Sequence, residues 1–545
     1  MQIWRKTGFP SGNTLSHIFN WNCSQVSYFH SSEFLVSDKR ALLHALESSK
    51  TSLDLRTATK AHARILQCGY RTQPTLLASL ISAYFHCHRL DLAHQLLHHI
   101  SSRSRPCDSL VTFNLIIKTL TLDGECEIAE EVFRGMISRD VVSWNSLISC
   151  LVKHGRFEAA IAYLRDMLRF NVEPDGYTFS SVVSACAHLG VASHSLWVHQ
   201  LMTERKIELN PILCGALINM YSKCGRIQTA REIFKRSPKS DVSVWNAMIN
   251  GLAAHGLACD SIKVFSDMEL EAVLPDSITF AAILTACSHC GLVEEGRRFF
   301  NLMRNRYSIL PQLVHYGAMV DLLGRAGLIN DAYEMIRGMP MEPDGVIWRA
   351  LLNACRFHKR PELGEAALAN ISTVNSGDLV LMSNTYCSLS RWENAEAVRD
   401  SMKRRGIHKK RGKSWMEVGG AIHHFKSEDR SHPEAKAIHR ALERLMKFSK
   451  LSGYVPWTEV VLMDVTEEEK EANLSVHSEK LAVVYGILKT SPGAEITVLK
   501  NLRICHDCHL WMKVVSRMLR RVLVVRDRTR FHRFEMGHCS CGNYW

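Results

Sequence analysis

The sequence predicts a mostly α-helical protein: a solenoid of helical hairpins, followed by a small α/β domain that binds metal. Two observations carry this. A glycine recurs at a near-constant interval through the middle of the chain, each time between two amphipathic stretches. Toward the C-terminus that period stops, and short apolar alternations with paired cysteines and histidines take its place. A fixed period of this length means stacked helical hairpins, because one hairpin cannot bury its apolar faces alone. Alternating helix and strand patterns over a short span predict a compact α/β unit.

The repeat comes first in the chain. Gly155, Gly190, Gly225, Gly256, Gly291 and Gly327 are spaced by 35, 35, 31, 35 and 36 residues. In residues 141–175, Ser143 to Lys153 reads as one helix, His154-Gly155 as the turn and Arg156 to Phe170 as a second helix. Glycine accepts the left-handed backbone that ends a helix. Pro174 disfavours helix at Glu173 and marks the break before Asp175. The same Pro-Asp ending recurs at Pro275-Asp276 and Pro343-Asp344, and Trp144-Asn145 recurs as Trp245-Asn246.

The C-terminal elements follow from local pattern. Glu479 to Leu488 reads as helix. Ala494 to Lys500 alternates as a strand with Ile496 and Val498 on one side. Cys505 to Arg521 has apolar residues at helical spacing, and Arg521 to Val525 reads as a short strand. Cys505 and Cys508 therefore fall near a helix N-terminus, where the helix dipole favours thiolate.

Metal chemistry is written into the same stretch. His477 and Glu479 sit one residue apart, and Cys505 and Cys508 form a C-x-x-C pair. One imidazole and two thiolates can hold Zn²⁺ and leave a fourth position open. Zinc lowers the pKa of water, and a carboxylate that is not a ligand can then shuttle protons. This is the H-x-E and P-C-x-x-C arrangement of zinc nucleobase deaminases, except that residue 504 is Ile where that motif has proline. His477, Cys505 and Cys508 would be ligands and Glu479 the proton shuttle. His509, His532, Cys539 and Cys541 supply four further N/S donors, enough to close a second, structural zinc site. Two zinc ions are expected. The competing interpretation is a set of buried thiols and surface histidines.

Composition narrows the partners. The 545 residues carry a formal net charge of +13, which suits a polyanion. From Arg503 to Arg533 nine Lys and Arg stand against Asp507 and Asp527; this is either a nucleic-acid backbone contact or a solvated face. No run of 18 apolar residues exists, so no membrane span is predicted. Cysteines such as Cys186, Cys224 and Cys290 occupy helical repeat positions suited to buried small residues, which points to reduced thiols. The first 32 residues contain no Asp or Glu and six Ser, a pattern resembling an organellar transit peptide, assigned to residues 1–40.

With these motifs in hand, the chain resembles the plant pentatricopeptide repeat proteins that mix unit lengths, with an E extension and a C-terminal DYW deaminase domain. The resemblance implies a right-handed solenoid over residues 41–344, degenerate E-type units over 345–412 and a deaminase-like domain over 413–545. It implies single-stranded organellar RNA as partner, read at about one base per unit. The pairs Asn114 with Asp140, Asn145 with Asp175 and Asn246 with Asp276 match the family's reading positions, with a uridine preference. The alternative is structural, with Asn capping the first helix and Asp closing a turn. The implied activity is zinc-dependent conversion of C to U in organellar transcripts. Small organellar editing factors or other deaminase-domain proteins are implied partners, and the mitochondrion, alternatively the plastid, the implied location. Ser491-Pro492-Gly493 matches a lid-like segment near the family's pocket. Asn543 stands where the family ends in Asp-Tyr-Trp. Two rival functions remain: an RNA-site recognition factor that recruits a deaminase in trans, and an RNA-processing nuclease.

Overall fold

The computed structural model describes residues 32–544 apart from 71–72, 104–105, 409–411, 428–429 and 459–466. Most of the expected leader, up to residue 31, lies outside the described residues. Within its last part a helix already begins, Ser32–Ser52.

The chain divides into two compact units, Met1–Ser143 and Trp144–Trp545. The first is built of helical hairpins: Ser32–Ser52 with Leu55–Gln67, Pro74–His86 with Leu90–Arg103, and Pro106–Asp123 with Cys126–Gly135. Leu46, Ile65, Leu80, Ile81 and Tyr84 are fully buried in it. The Tyr84 hydroxyl meets His62 Nδ1 at 2.8 Å, so the ring is buried without an orphaned polar atom.

The second unit continues the hairpins from Phe157–Arg169 to Trp392–Arg404. Its helices start where the sequence supplies caps. Asp175 and Asp276 each accept from the backbone N–H three residues on, and Thr178 and Thr279 return the bond, forming capping boxes. Asn210 caps a helix that opens with Pro211. All six period-marking glycines have positive φ, from +68° to +84°. Trp144 and Trp245 are buried between helices, and the Trp245 indole donates to Lys239 O at 2.9 Å. Truncating such a tryptophan to alanine costs about 3–5 kcal/mol.

After Arg404 the chain forms a six-stranded sheet: β1 (Lys413–Val418), β2 (Ala421–Lys426), β3 (Ile496–Lys500), β4 (Leu523–Arg526), β5 (Phe531–Glu535) and β6 (His538–Cys539). The strand order is β2-β1-β3-β4-β5-β6. Only β3 and β4 pair in parallel, joined by the crossover helix His506–Leu519. The β1–β2 hairpin turns through Gly419 and Gly420, both at positive φ, as a two-residue hairpin turn of this hand requires. Val498, Val525, Phe534 and Trp511 form the core, with Leu481 and Val484 from the helix Ser478–Lys489. The helices and strands read from the sequence around residues 479–525 are all present, with ends shifted by at most two residues.

This domain seats on the turns of the repeats. Arg526 Nη1 donates to Lys223 O at 3.0 Å and Arg530 Nη1 to His289 O at 2.7 Å. The His255 and Phe531 rings stack, with centroids 4.2 Å apart and planes 7° apart. The period glycines make room for this: a Cβ on Gly256 would lie 2.3 Å from Arg530 Nη2, and one on Gly291 would lie 2.8 Å from the Tyr544 ring. Gly155, outside the contact, has nothing within 4 Å.

Ser491-Pro492-Gly493 departs from expectation. It follows the C-terminal end of the helix Ser478–Lys489, whereas Glu479 lies at its start. The ten helical residues 480–489 lie between them, a rise of about 15 Å, so this segment is not a lid over Glu479.

Candidate metal centres and repeat pairs

The first centre is assembled by two helix N-termini. His477 is the N-cap of Ser478–Lys489, and Cys505 is the N-cap of His506–Leu519. Each cap residue aims its side chain across the sheet end toward the other. His477 Nδ1 lies 3.4 Å from both Cys505 Sγ and Cys508 Sγ. Ligands at tetrahedral angles on Zn²⁺ stand about 3.6 Å apart, so the donor set fits zinc. One carboxylate oxygen of Glu479 completes a group whose atoms all lie within 4.8 Å of one another.

Electrostatics in this pocket are sharp. The Cys508 backbone N–H points at Cys505 Sγ at 3.4 Å. The bond from Cys508 pulls the Cys505 thiol well below its ordinary value, outweighing burial, with His477 adding to it. Burial and the Cys505 thiolate push Cys508 up. Burial pulls His477 down, but Cys505 pulls it up further, and the net shift is upward. Glu479 is fully buried, which raises its pKa, yet Lys500 and then His477 bring it down to about 2. Lys500 forms an ion pair with Glu479 Oε1, while Ser478 Oγ donates to Oε2 at 3.0 Å. Nothing in the local sequence around Lys500 announced this pairing.

A second buried ion pair braces the first centre from behind. Lys480 Nζ lies 2.7 Å from Asp507 Oδ2, and both side chains are fully buried. Asp507 Oδ1 also accepts from the Tyr454 hydroxyl at 2.6 Å and from the Trp457 N–H at 3.0 Å. These contacts tie the residues following His477 and Cys505 to one another.

The second centre joins His509, His532, Cys539 and Cys541, again within 4.8 Å. His509 Nε2 is 3.2 Å from Cys541 Sγ, and His532 Nδ1 is 3.7 Å from Cys539 Sγ. His532 sits on β5 and Cys539 on β6, neighbours in the sheet, so strand pairing sets their separation. Asp527 was read only as one charge in a basic stretch. Its Oδ2 faces His532 Nε2 at 3.5 Å, the far side of the ring from the cysteines. A carboxylate there fixes the ring's orientation and tautomer, the usual outer support of a metal-bound histidine.

The repeat pairs are linked to each other. Asn145 Nδ2 donates to Asp175 Oδ1 at 3.0 Å, and Asn246 Nδ2 to Asp276 Oδ1 at 3.0 Å. Thr178 and Thr279 hydroxyls donate back to the two Asn carbonyls, at 2.5 and 2.6 Å. Asn114 stands 3.4 Å from Asp140, a looser version. The capping alternative is corrected in one respect: Asp caps the following helix, while Asn lies inside its own helix and caps nothing. Asp175 keeps a lowered pKa; burial raises it, but bonds from Thr178 and Asn145 lower it further.

The basic stretch divides. Arg521, Arg530 and Asp527 are buried, and Arg521 bonds to Ala494 O and Thr490. For these residues neither a solvated face nor a free nucleic-acid surface describes the structure. The described cysteines are free thiols, and no described helix is long and apolar enough to cross a membrane.

Residues 453–545 match the DYW family of nucleic acid deaminases, and residues 358–417 match the E motif. Residues 139–188 and 240–289 match the PPR repeat family, and the PPR repeat also matches 111–141, 212–242, 278–307 and 314–342. Pentatricopeptide repeat-containing protein At5g50990 of Arabidopsis thaliana is 51% identical over 521 residues, which is 95% of this chain and 97% of that protein. At1g08070, chloroplastic, from the same plant is 40% identical, covering 80% of this chain and 60% of its own length. At3g26782, mitochondrial, is 42% identical, covering 78% and 65%. The crystal structure of the maize repeat protein PPR10 aligns at 15% identity and a TM-score of 0.39, over 89% of this chain and 73% of that one.

Proposed function

The chain is a pentatricopeptide repeat protein with an E motif and a C-terminal DYW deaminase domain, and from that premise we propose that it edits cytidine to uridine at chosen sites of single-stranded organellar RNA. The observation that carries this is the convergence of His477, Cys505 and Cys508 on one point, with the buried Glu479 carboxylate beside them. These three side chains would hold zinc, which when bound supplies a nucleophile at neutral pH. Glu479 would carry a proton to N3 of a cytosine and then to the departing amine. The residue's low pKa makes it a carboxylate in the resting pocket, ready to accept the first proton. The ion pair with Lys500 holds it in place. His509, His532, Cys539 and Cys541 would bind a structural zinc.

Residues 41–344 would select the RNA, 345–412 would lead the strand onward and 413–545 would perform the chemistry. Asn114/Asp140, Asn145/Asp175 and Asn246/Asp276 would read bases, since an amide presents both donor and acceptor. Editing in a mitochondrion, or alternatively a plastid, fits the relatives that carry those labels. Small editing factors or a second deaminase-domain protein would be partners.

The test is metal analysis together with C-to-U conversion by the full chain on an RNA pool randomised around a central cytidine, with Glu479→Gln beside it. Two zinc ions and Glu479-dependent conversion establish the enzyme. Selective binding and zinc without conversion favour the second reading, a recognition factor served by a deaminase in trans. One contact gives that reading weight: Lys513 Nζ bonds Asn543 Oδ1 at 3.2 Å, where the family's Asp would form an ion pair.

A further inference from the structure

Where the deaminase-like domain meets the later repeats, arginines gather with too few carboxylates. Arg325 ends the helix Leu313–Arg325, Arg356 lies near the end of Gly345–Phe357, and Arg503 and Arg530 come from the C-terminal domain. They form a chain of electrostatic neighbours: Arg530 feels Arg325, Arg503 feels both Arg325 and Arg356, and Arg356 feels Cys505. The row therefore runs from the repeats to a ligand of the first metal centre.

Acceptors are scarce along it. Asp321 Oδ2 lies 2.9 Å from Arg325 Nε and also accepts from Ser288 Oγ at 2.6 Å. Asp527 is taken up by the backbone N–H groups of Thr529 and Arg530 and by His532. Arg530 is 2% exposed and spends Nη1 on the carbonyls of His289 and Tyr544. Arg530 Nε and Nη2, Arg325 Nη1 and Arg503 Nη2 are buried donors with no acceptor among the described residues. Burying guanidinium N–H donors that lack acceptors is unfavourable, and like charges side by side add to that. An ion with several acceptor oxygens removes both penalties at once, and guanidinium forks match phosphate best.

We propose that the seam lined by Arg325, Arg356 and Arg503 is a binding site for a phosphate oxyanion, and that its natural occupant is a phosphodiester of the RNA strand next to the cytidine offered to Glu479. This occupant rests on the proposed function; the oxyanion site itself does not. Arg530 anchors the seam from the repeat turns. The row fixes where the strand leaves the repeats and enters the zinc pocket, so it sets the distance between the last base read and the base changed.

Two measurements on the zinc-loaded full chain test this, with Arg325→Gln and Arg356→Gln as variants. The first is affinity for a uridine-rich single-stranded RNA with interspersed cytidines, measured against salt concentration. Each lost phosphate contact lowers the slope of log affinity against log salt by about 0.7. The second is the thermal midpoint in sodium phosphate against sodium chloride of equal ionic strength. A reduced slope in either variant, with both zinc ions retained, supports the RNA phosphodiester. A midpoint raised by phosphate in the wild type and not in the variants, with slopes unchanged, supports a small phosphate and overturns the RNA assignment. Unchanged slopes and no phosphate-specific midpoint shift overturn the site. Should Arg325→Gln not fold, the half-buried Arg356 carries the same readouts. A chain that binds RNA without converting cytidine refutes the proposed editing and leaves this test standing.

Discussion

Gly256→Ala, set against Gly155→Ala, isolates the contact between the C-terminal domain and the repeat turns. Both glycines have left-handed backbones, with φ of +71° and +74°. Each alanine therefore suffers the same backbone strain, about 1–2 kcal/mol. They differ in surroundings, since a Cβ at residue 155 meets nothing within 4 Å and one at 256 lies 2.3 Å from Arg530 Nη2. The guanidinium must retreat by about 1 Å to reach ordinary contact distance. It is one rigid plane, so the 2.7 and 2.8 Å bonds from Nη1 to His289 O and Tyr544 O go with it. Only the bond to His289 O crosses to the repeats, and losing one hydrogen bond from a charged group costs about 1.5–3 kcal/mol. The docked state then opens about ten- to a hundredfold more often in Gly256→Ala. Native-state hydrogen exchange over residues 526–534 and 286–292 reads this directly. Exchange there should quicken by that factor in Gly256→Ala and stay at the wild-type rate in Gly155→Ala. Equal behaviour of the two variants would refute the claim that the turn glycines serve the docking contact.

Three further outcomes are expected. Cys505→Ala should reduce zinc from two ions to one per chain by elemental analysis, with RNA affinity unchanged; retention of both ions would reject His477, Cys505 and Cys508 as one ligand set. Asp527→Asn should weaken metal affinity at the second centre about 10–100-fold in chelator competition, because His532 loses its orienting carboxylate; an unaltered affinity removes that role. The last outcome concerns pH. Burial, with Arg325 adding to it, lowers the His289 pKa to about 4, against 6.5 when unfolded. Between those values the unfolded chain binds the extra proton, so stability falls as pH drops from 6.5 toward 4 and is flat above. That is on the order of 3 kcal/mol across the window. Denaturation at stepped pH should show the slope, and His289→Gln should lessen it by about that amount, leaving the share of His62 and His255, which burial also lowers to about 4; an identical slope in the variant would contradict the assignment.

Much of this molecule was legible because its signals are local. Gly155 and its counterparts mark turns through their own backbone, and Asp175 and Thr178 close a capping box within three residues. His477 and Cys505 could be placed together because H-x-E with C-x-x-C is a zinc-ligand pattern, and the apolar spacing after each one announces a helix start. What escaped the sequence depends on pairs far apart in the chain. Lys500 reaches Glu479 only after β3 is laid beside the helix Ser478–Lys489, and Arg526 meets Lys223 across 303 residues. The Arg503–Arg533 stretch carries the same charges whether it faces water, RNA or carbonyls of the repeats. Only folding decides among them. Asn145 was open to a capping role because Asn suits helix starts in general; the boundary at Val141 places it a full turn inside the helix.

The bonded set around each Asn has a consequence for anyone who would exchange units between such proteins. Asn145 belongs to one hairpin, Asp175 stands at the junction and Thr178 lies in the next hairpin, yet the three form one hydrogen-bonded cluster. The cassette that holds an amide in a set orientation is therefore offset from the hairpin that gives the architecture its visible period. Cutting at the hairpin boundary splits the cluster and leaves the transplanted amide to be steered by whatever stands at the recipient's third helical position. A graft that carries its own threonine across the joint keeps the amide's orientation intact.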